Sequence, residues 1–166
     1  MRTLDRKPGK FTQTTFDPMM TQEKFDELKN KLERLKKISQ PKAASEVSRL
    51  AELGDFSENT EYQMAKWKLR GINNSILTID NQLQQAIIIP SNQQSDTVRI
   101  GHRVTLQDGD KKKTYQILGS SETSPQKGII SHNSPIGSAI LGHRVGDVVE
   151  IKLANKDVKY KIMKIE

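Results

Sequence analysis

Apolar residues recur at Tyr62, Ala65, Leu69, Ile72, Ile76, Ile79, Leu83 and Ala86, with spacings that alternate between three and four. Such a pattern predicts a long helix with one apolar seam that pairs with another helix. An earlier seam at Phe25, Leu28, Leu32 and Leu35 is disturbed near Pro41 and resumes at Val47 and Leu50. Between the two lies Gly54-Asp55-Phe56-Ser57-Glu58-Asn59-Thr60-Glu61, which reads as the turn of a hairpin. Two heptad helices joined by a short turn make an antiparallel coiled coil. Arms of roughly 30 residues give a rod of about 45 Å. Its far end would carry three carboxylates, Asp55, Glu58 and Glu61. Acids held out on a rod are placed for delivery into something else.

Helix one is expected from about residue 22 to 53, capped by Thr21, with Glu23 favouring the dipole of its first turn. Gln40-Pro41 should kink or interrupt it, because proline lacks the N–H and crowds the preceding turn. Gly54 would stop it. Helix two should end near Ala86.

The remaining sequence fits this architecture. Residues 1–18 are polar and basic, broken by Pro8-Gly9 and Pro18, and read as a flexible extension. Residues 19–88 form the hairpin and 89–97 a linker, with Ile87-Ile88-Ile89 as a short strand. From Val98 the period changes to two. Val98–Ile100, Val104–Leu106, Tyr115–Ile117, Ile129–Ile130, Val148–Ile151 and Val158–Ile165 read as strands, and Ser138–Leu141 as a short helix. Turns are expected at Gln107–Asp110 and Ala154–Asp157. The fold class is α+β, a helical hairpin followed by a small, mostly antiparallel sheet over 98–166.

With 34% apolar and 5% aromatic residues, the chain suits a solvated rod and a small domain better than one compact globule. It has no cysteine, which excludes disulfides and thiolate chemistry. No apolar run marks a signal peptide or a membrane span, so a cytoplasmic protein without membrane attachment is expected. The net charge of +7 is spread over both halves, with 15 basic against 12 acidic residues in 1–90 and 12 against 8 in 91–166. A basic protein with an acidic tip is polar along its length, and basic proteins are drawn to nucleic acids or their complexes.

Asp55 and Glu58 fit two roles. Their spacing is that of a capping box, with Asp55 on the free N–H groups and Glu58 reaching back. Two carboxylates can also hold a hard cation such as Mg²⁺, whose other ligands would come from a partner. Trp67, the only tryptophan, falls almost opposite the seam of helix two and should face water. Lys66 and Arg70 lie between it and the seam. The three could form a platform for a base and its phosphates, or a plain solvated face. His102, His132 and His143 suggest no metal site of their own.

The stretch Leu53-Gly54-Asp55-Phe56-Ser57-Glu58-Asn59-Thr60-Glu61-Tyr62 resembles the hairpin tip of the Gre transcript cleavage factors. Residues 131–142 (SHNSPIGSAILG), followed by Val145-Gly146-Asp147, resemble their C-terminal signature. The resemblance spans about residues 19–166. It implies a coiled-coil N-terminal domain and an FKBP-like C-terminal antiparallel β domain. It further implies docking of that domain on bacterial RNA polymerase, with the hairpin entering the secondary channel. Asp55 and Glu58 match the carboxylates that share Mg²⁺ with the polymerase, whose own active site then cleaves backtracked RNA. The factor would have no cofactor of its own and no enzymatic activity alone. Lys66 matches a basic position that contacts the RNA 3′ segment, and Asn133, Ser134, Pro135 and Ile136 match the docking turn. A monomer is expected. The stretch Tyr62–Arg70 is closer to the GreB pattern, although Trp67 stands where GreB has a second basic residue. Ala51 replaces an arginine of the GreA pattern, with Arg49 nearby.

Three rivals remain. A Gre-like protein could occupy the channel without promoting cleavage, which the intact Asp55/Glu58 pair argues against. A peptidyl-prolyl isomerase would need an aromatic pocket, and residues 91–166 hold only Tyr115 and Tyr160. A coiled-coil RNA-binding or adaptor module would leave the acidic tip unexplained.

Overall fold

The computed structural model describes residues 16–52, 60–90, 95–153 and 156–166, with the backbone alone at 152, 153 and 156. Helix α1 runs Gln22–Arg34, α2 runs Gln40–Ala51 and α3 runs Thr60–Gln84. Both α1 and α2 pack on α3. Thr21 caps α1 as expected, its Oγ1 accepting the Lys24 N–H at 3.2 Å. Every position of the second seam is buried or half-buried, from Tyr62 to Ala86. At the base of the hairpin Leu28, Leu32 and Ile79 close around Met20, which is fully buried. A buried aliphatic side chain of this size contributes about 1.5–3 kcal/mol.

The interruption near Pro41 takes the form of a π-helical turn, Leu35–Ser39, inserted between α1 and α2. There the Gln40 N–H donates to the carbonyl of Leu35, five residues back. A π-turn adds one residue to a helix without breaking it. Its effect on the seam is visible: a strict heptad from Leu35 would continue at 39, 42, 46 and 49. The inward positions are instead Ser39, Ala43, Val47 and Leu50, one residue later from Ala43 onward. Ile38, off the seam, is exposed. Small side chains on both arms, Ala43 and Ala65, line a groove of about 530 Å³ beside the turn. Lys36–Asp80 at 3.2 Å and Gln40–Asn73 at 2.8 Å bridge the arms on its flanks.

Five strands form the second layer: β3 (Arg103–Asp108), β4 (Lys111–Leu118), β5 (Ile129–Ser131), β6 (Val148–Leu153) and β7 (Lys156–Ile165). Their order is β5-β4-β3-β7-β6. All pairs are antiparallel except β4–β5, which is parallel. The inward face, with Val104, Leu106, Ile117, Ile151 and Ile162, packs against Ile140 of helix α4, Pro135–Ile140. The core therefore lies between the sheet and α4.

Three expectations need correction. Val98–Ile100 is not a strand: Val98 is buried and exchanges backbone hydrogen bonds with the loop after α4, donating to His143 and accepting from Gly142. Gly101, at φ 102°, turns the chain immediately afterwards. The short helix begins at Pro135 rather than Ser138, because Ser134 and Pro135 supply a cap and a pre-set first turn. Residues 16–18, expected in the extension, belong to the folded body. Phe16 packs into the base of the hairpin, and the Asp17 carboxylate accepts from Ser120 at 2.7 and 2.8 Å. Next to it β1 (Met19–Met20) pairs in parallel with β2 (Ile87–Ile88), so the two ends of the hairpin are tied together at its base.

Burial pushes the Asp17 carboxyl up. Hydrogen bonds from Ser120 and Met19, with the nearby His132, outweigh that and hold it below its ordinary value. A carboxylate with a lowered folded pKa stabilises above its unfolded value and loses that contribution as pH falls through the folded one. Asp17→Asn should therefore melt below the parent at neutral pH. The gap should close in acid below about pH 4, as thermal melts of both proteins across pH would show.

Candidate functional site

Three regions carry the chemistry suggested by the sequence. Asp55 and Glu58 lie outside the described residues, as does the expected stop at Gly54. The arms flanking them are described. Ala51 ends α2 and Thr60 opens α3, with Glu61 exposed in the first turn of α3. Arg49 forms an ion pair with Glu46 at 2.8 Å, and its charge also feels Glu61 across the arms. The hydrogen bond from Arg49 holds the Glu46 carboxyl below its ordinary value.

The second region is the solvent face of α3. Trp67 is 67% exposed, as its place off the seam requires. Lys66 and Arg70 are exposed as well. On a helix, Arg70 lies three residues from Trp67 and four from Lys66, so it adjoins both. The Lys66 ammonium sits 5.2 Å from the Tyr62 ring centroid, within cation–π range, so it leans toward the start of α3. One aromatic face and two cations are thus available to a ligand less than three helical turns from Thr60.

The third region is the turn between β5 and α4. Asn133 and Pro135 are exposed. Ser134 is held inward, its Oγ accepting the Gly137 N–H at 3.0 Å as the α4 cap. Ile136 is half-buried and packs on the core of the sheet. The four residues are therefore contiguous but unequal: Asn133 and Pro135 can touch a partner, whereas Ser134 and Ile136 hold the turn in shape. Ser131 supports it from below, its Oγ accepting the Asn133 N–H at 3.0 Å.

The histidines do not converge. His102 is buried, His132 lies 3.4 Å from Asp17, and His143 lies 3.3 Å from Asp147. Among the described residues no three acidic or histidine side chains gather as a metal site. Tyr160 belongs to the core, where burial pushes its hydroxyl pKa up, and Tyr115 packs beside it. Neither lines an aromatic pocket of the kind an isomerase would need. No helix among the described residues is long and apolar enough to cross a membrane.

The sequence reading missed the junction between the hairpin base and the sheet. Beyond the Asp17–Ser120 bonds, Glu122 accepts from the Thr21 N–H at 2.8 Å and from its hydroxyl at 2.6 Å. These partners are separated by 101 and 103 residues. No local pattern announces such a contact.

A two-helix rod tied at its base to a five-stranded sheet, with an aromatic and basic face along one arm, defines a two-domain coiled-coil factor. Comparison with known proteins is specific. Residues 18–88 match the profile described as "Transcription elongation factor, N-terminal". Residues 93–166 match that of "Transcription elongation factor, GreA/GreB, C-term". A protein named transcription elongation factor GreA from Macrococcus caseolyticus is 38% identical over 149 residues, 88% of this chain and 94% of that one. Another of the same name from Nautilia profundicola is also 38% identical, covering 88% and 92%. The crystal structure of GreA factor homolog 1 (Gfh1) from Thermus thermophilus aligns at 25% identity over 86% of this chain and 94% of that one, with a TM-score of 0.40. The chain belongs to the GreA/GreB family of transcription elongation factors.

Proposed function

We propose that this factor binds bacterial RNA polymerase, inserts its hairpin into the secondary channel, and stimulates the polymerase to cleave backtracked RNA. The observation that carries the reading is the face of α3. Its exposed Trp67, Lys66 and Arg70 stand near the far end of a rod that, among the described residues, is bonded to the sheet at its other end. Family membership supplies the context. In this reading Asn133 and Pro135, shaped by Ser134 and Ile136, meet the polymerase. Lys66, Trp67 and Arg70 contact the RNA 3′ segment by charge and stacking. Asp55 and Glu58 lend carboxylate oxygens, which suit a hard cation, toward Mg²⁺ held mainly by the polymerase. That ion would polarise the phosphate and help activate water. The factor alone hydrolyses nothing. It acts as a monomer, without a cofactor of its own, in the cytoplasm.

The test adds the factor to halted, backtracked elongation complexes and measures the released 3′ RNA. Release should exceed that of polymerase alone and be absent with the factor alone, and no release above polymerase alone would refute the reading. In the same assay Trp67→Ala and Lys66→Ala should slow cleavage about 10-fold with long extruded RNA, since stacking on one base is worth about 1–3 kcal/mol. Short extrusions should be less affected. The Trp67→Ala protein should keep its stability within about 0.5 kcal/mol, because the side chain covers no core. A large drop in melting temperature would contradict the exposure of Trp67.

A further inference from the structure

Two carboxylates cross the junction in opposite directions. Asp17, beside the hairpin, accepts the N–H of Ser120 at 2.7 Å and its hydroxyl at 2.8 Å. Glu122, on the sheet side, accepts the N–H and hydroxyl of Thr21 at 2.8 and 2.6 Å. The Thr21 hydroxyl oxygen also accepts the Lys24 N–H, so the bond to Glu122 grips the first turn of α1 itself. Between these two bonds the backbones touch. A methyl added at Gly119 would collide with the carbonyl oxygen of Met19.

The contact continues toward the docking turn. Ser120 Oγ lies 2.9 Å from Ser131 Oγ, which in turn accepts the Asn133 N–H at 3.0 Å. The donors are consistent along the line. Ser120 donates to Asp17, Ser131 donates to Ser120, and Asn133 donates to Ser131. One hydrogen-bonded chain thus runs from the base of the rod to the turn assigned to polymerase contact.

We infer that Asp17, Thr21, Ser120 and Glu122 are positioning residues, which lock the direction of the hairpin to the docking turn and so aim its far end. The inference rests on the proposed function. Leverage gives it weight. From Thr21 to Ala51 the rod is about 45 Å long, so a 5° error at the base moves the far end by about 4 Å. Displacement of reacting groups by about 1 Å can cost 100-fold in rate. A loosened junction should therefore spoil delivery of the carboxylates while leaving the docking surface intact.

The experiment uses the full chain and its single tryptophan. Two variants open the junction by different means: Ser120→Ala with Glu122→Ala removes polar groups, and Gly119→Ala wedges the backbones while removing none. Ser120→Thr, which keeps the hydroxyl, is the conservative control. Nanosecond anisotropy decay of Trp67 reports whether the rod tumbles with the sheet. Both opened variants should gain a faster segmental component, with helicity by circular dichroism unchanged. On halted complexes their cleavage rate at saturating factor should fall about 10-fold or more. Their affinity for polymerase, read by competition with the parent, should change less than about threefold. The control should behave as the parent in every readout.

An unchanged anisotropy decay would show that these contacts do not hold the rod. Looser tumbling with undiminished cleavage at saturation would show that they hold it but do not aim it. A parent that stimulates no cleavage would overturn the functional reading and the aiming role with it. That failure is distinguishable, because it appears in the parent and not only in the variants.

Discussion

Exchanging Asp55 for asparagine and Glu58 for glutamine should abolish cleavage stimulation while leaving the hairpin folded and able to compete for the polymerase channel. Alanine would be a poor probe, since it would remove together the cap and the ligand that the spacing of the two acids suggests. Asparagine caps about as well as aspartate. Glutamine can serve as the third residue of a capping box. Neither amide carries the charge that a hard cation takes from its ligands. The cost to the helix should stay below about 1 kcal/mol, whereas cleavage at saturating factor should fall by about 100-fold or more. Added Mg²⁺ should recover part of the rate by mass action. Released RNA from halted complexes gives the rate, and displacement of labelled parent gives occupancy. If the amide variants cleave as the parent does, the two carboxylates are caps and the shared-metal mechanism is wrong.

The docking turn should show the opposite split. Asn133→Ala with Pro135→Ala alters the two exposed positions and leaves the Ser134 cap and the packed Ile136 in place. Polymerase affinity should fall about 10-fold, which corresponds to 1.4 kcal/mol. Cleavage at saturating factor should persist, since the rod is unchanged. Ile136→Asp would be uninformative, because it buries a charge against the core of the sheet and destabilises the domain. Equal affinity of the double variant and the parent would remove the turn from the docking surface.

Much of the rod was legible in the sequence because helix periodicity is a local property. The three–four alternation from Tyr62 to Ala86 named the buried face, and the same count put Trp67 in water. Thr21 was readable as a cap because capping chemistry acts within one turn. The C-terminal strands were readable by alternation, except where Val98 is buried without a ladder. Ser134-Pro135 carried a cap signal as well as the family motif.

What the tertiary structure decided lies at longer range. Pro41 announced a disturbance, but not its form. It takes the form of a π-turn, after which the helix stays packed on the second arm with its seam moved by one residue. The parallel addition of β5 depends on the path of residues 119–128 across the sheet edge. The junction of Asp17 with Ser120 and of Thr21 with Glu122 depends on which backbones the whole topology brings together. A hydrogen bond across 100 residues leaves no periodic trace, since each partner alone is an ordinary polar residue in its own stretch. The sequence alone determined a rod, a sheet domain and the residues that face solvent. The fold decided how the rod is held to the sheet, because that choice rests on contacts no local pattern encodes.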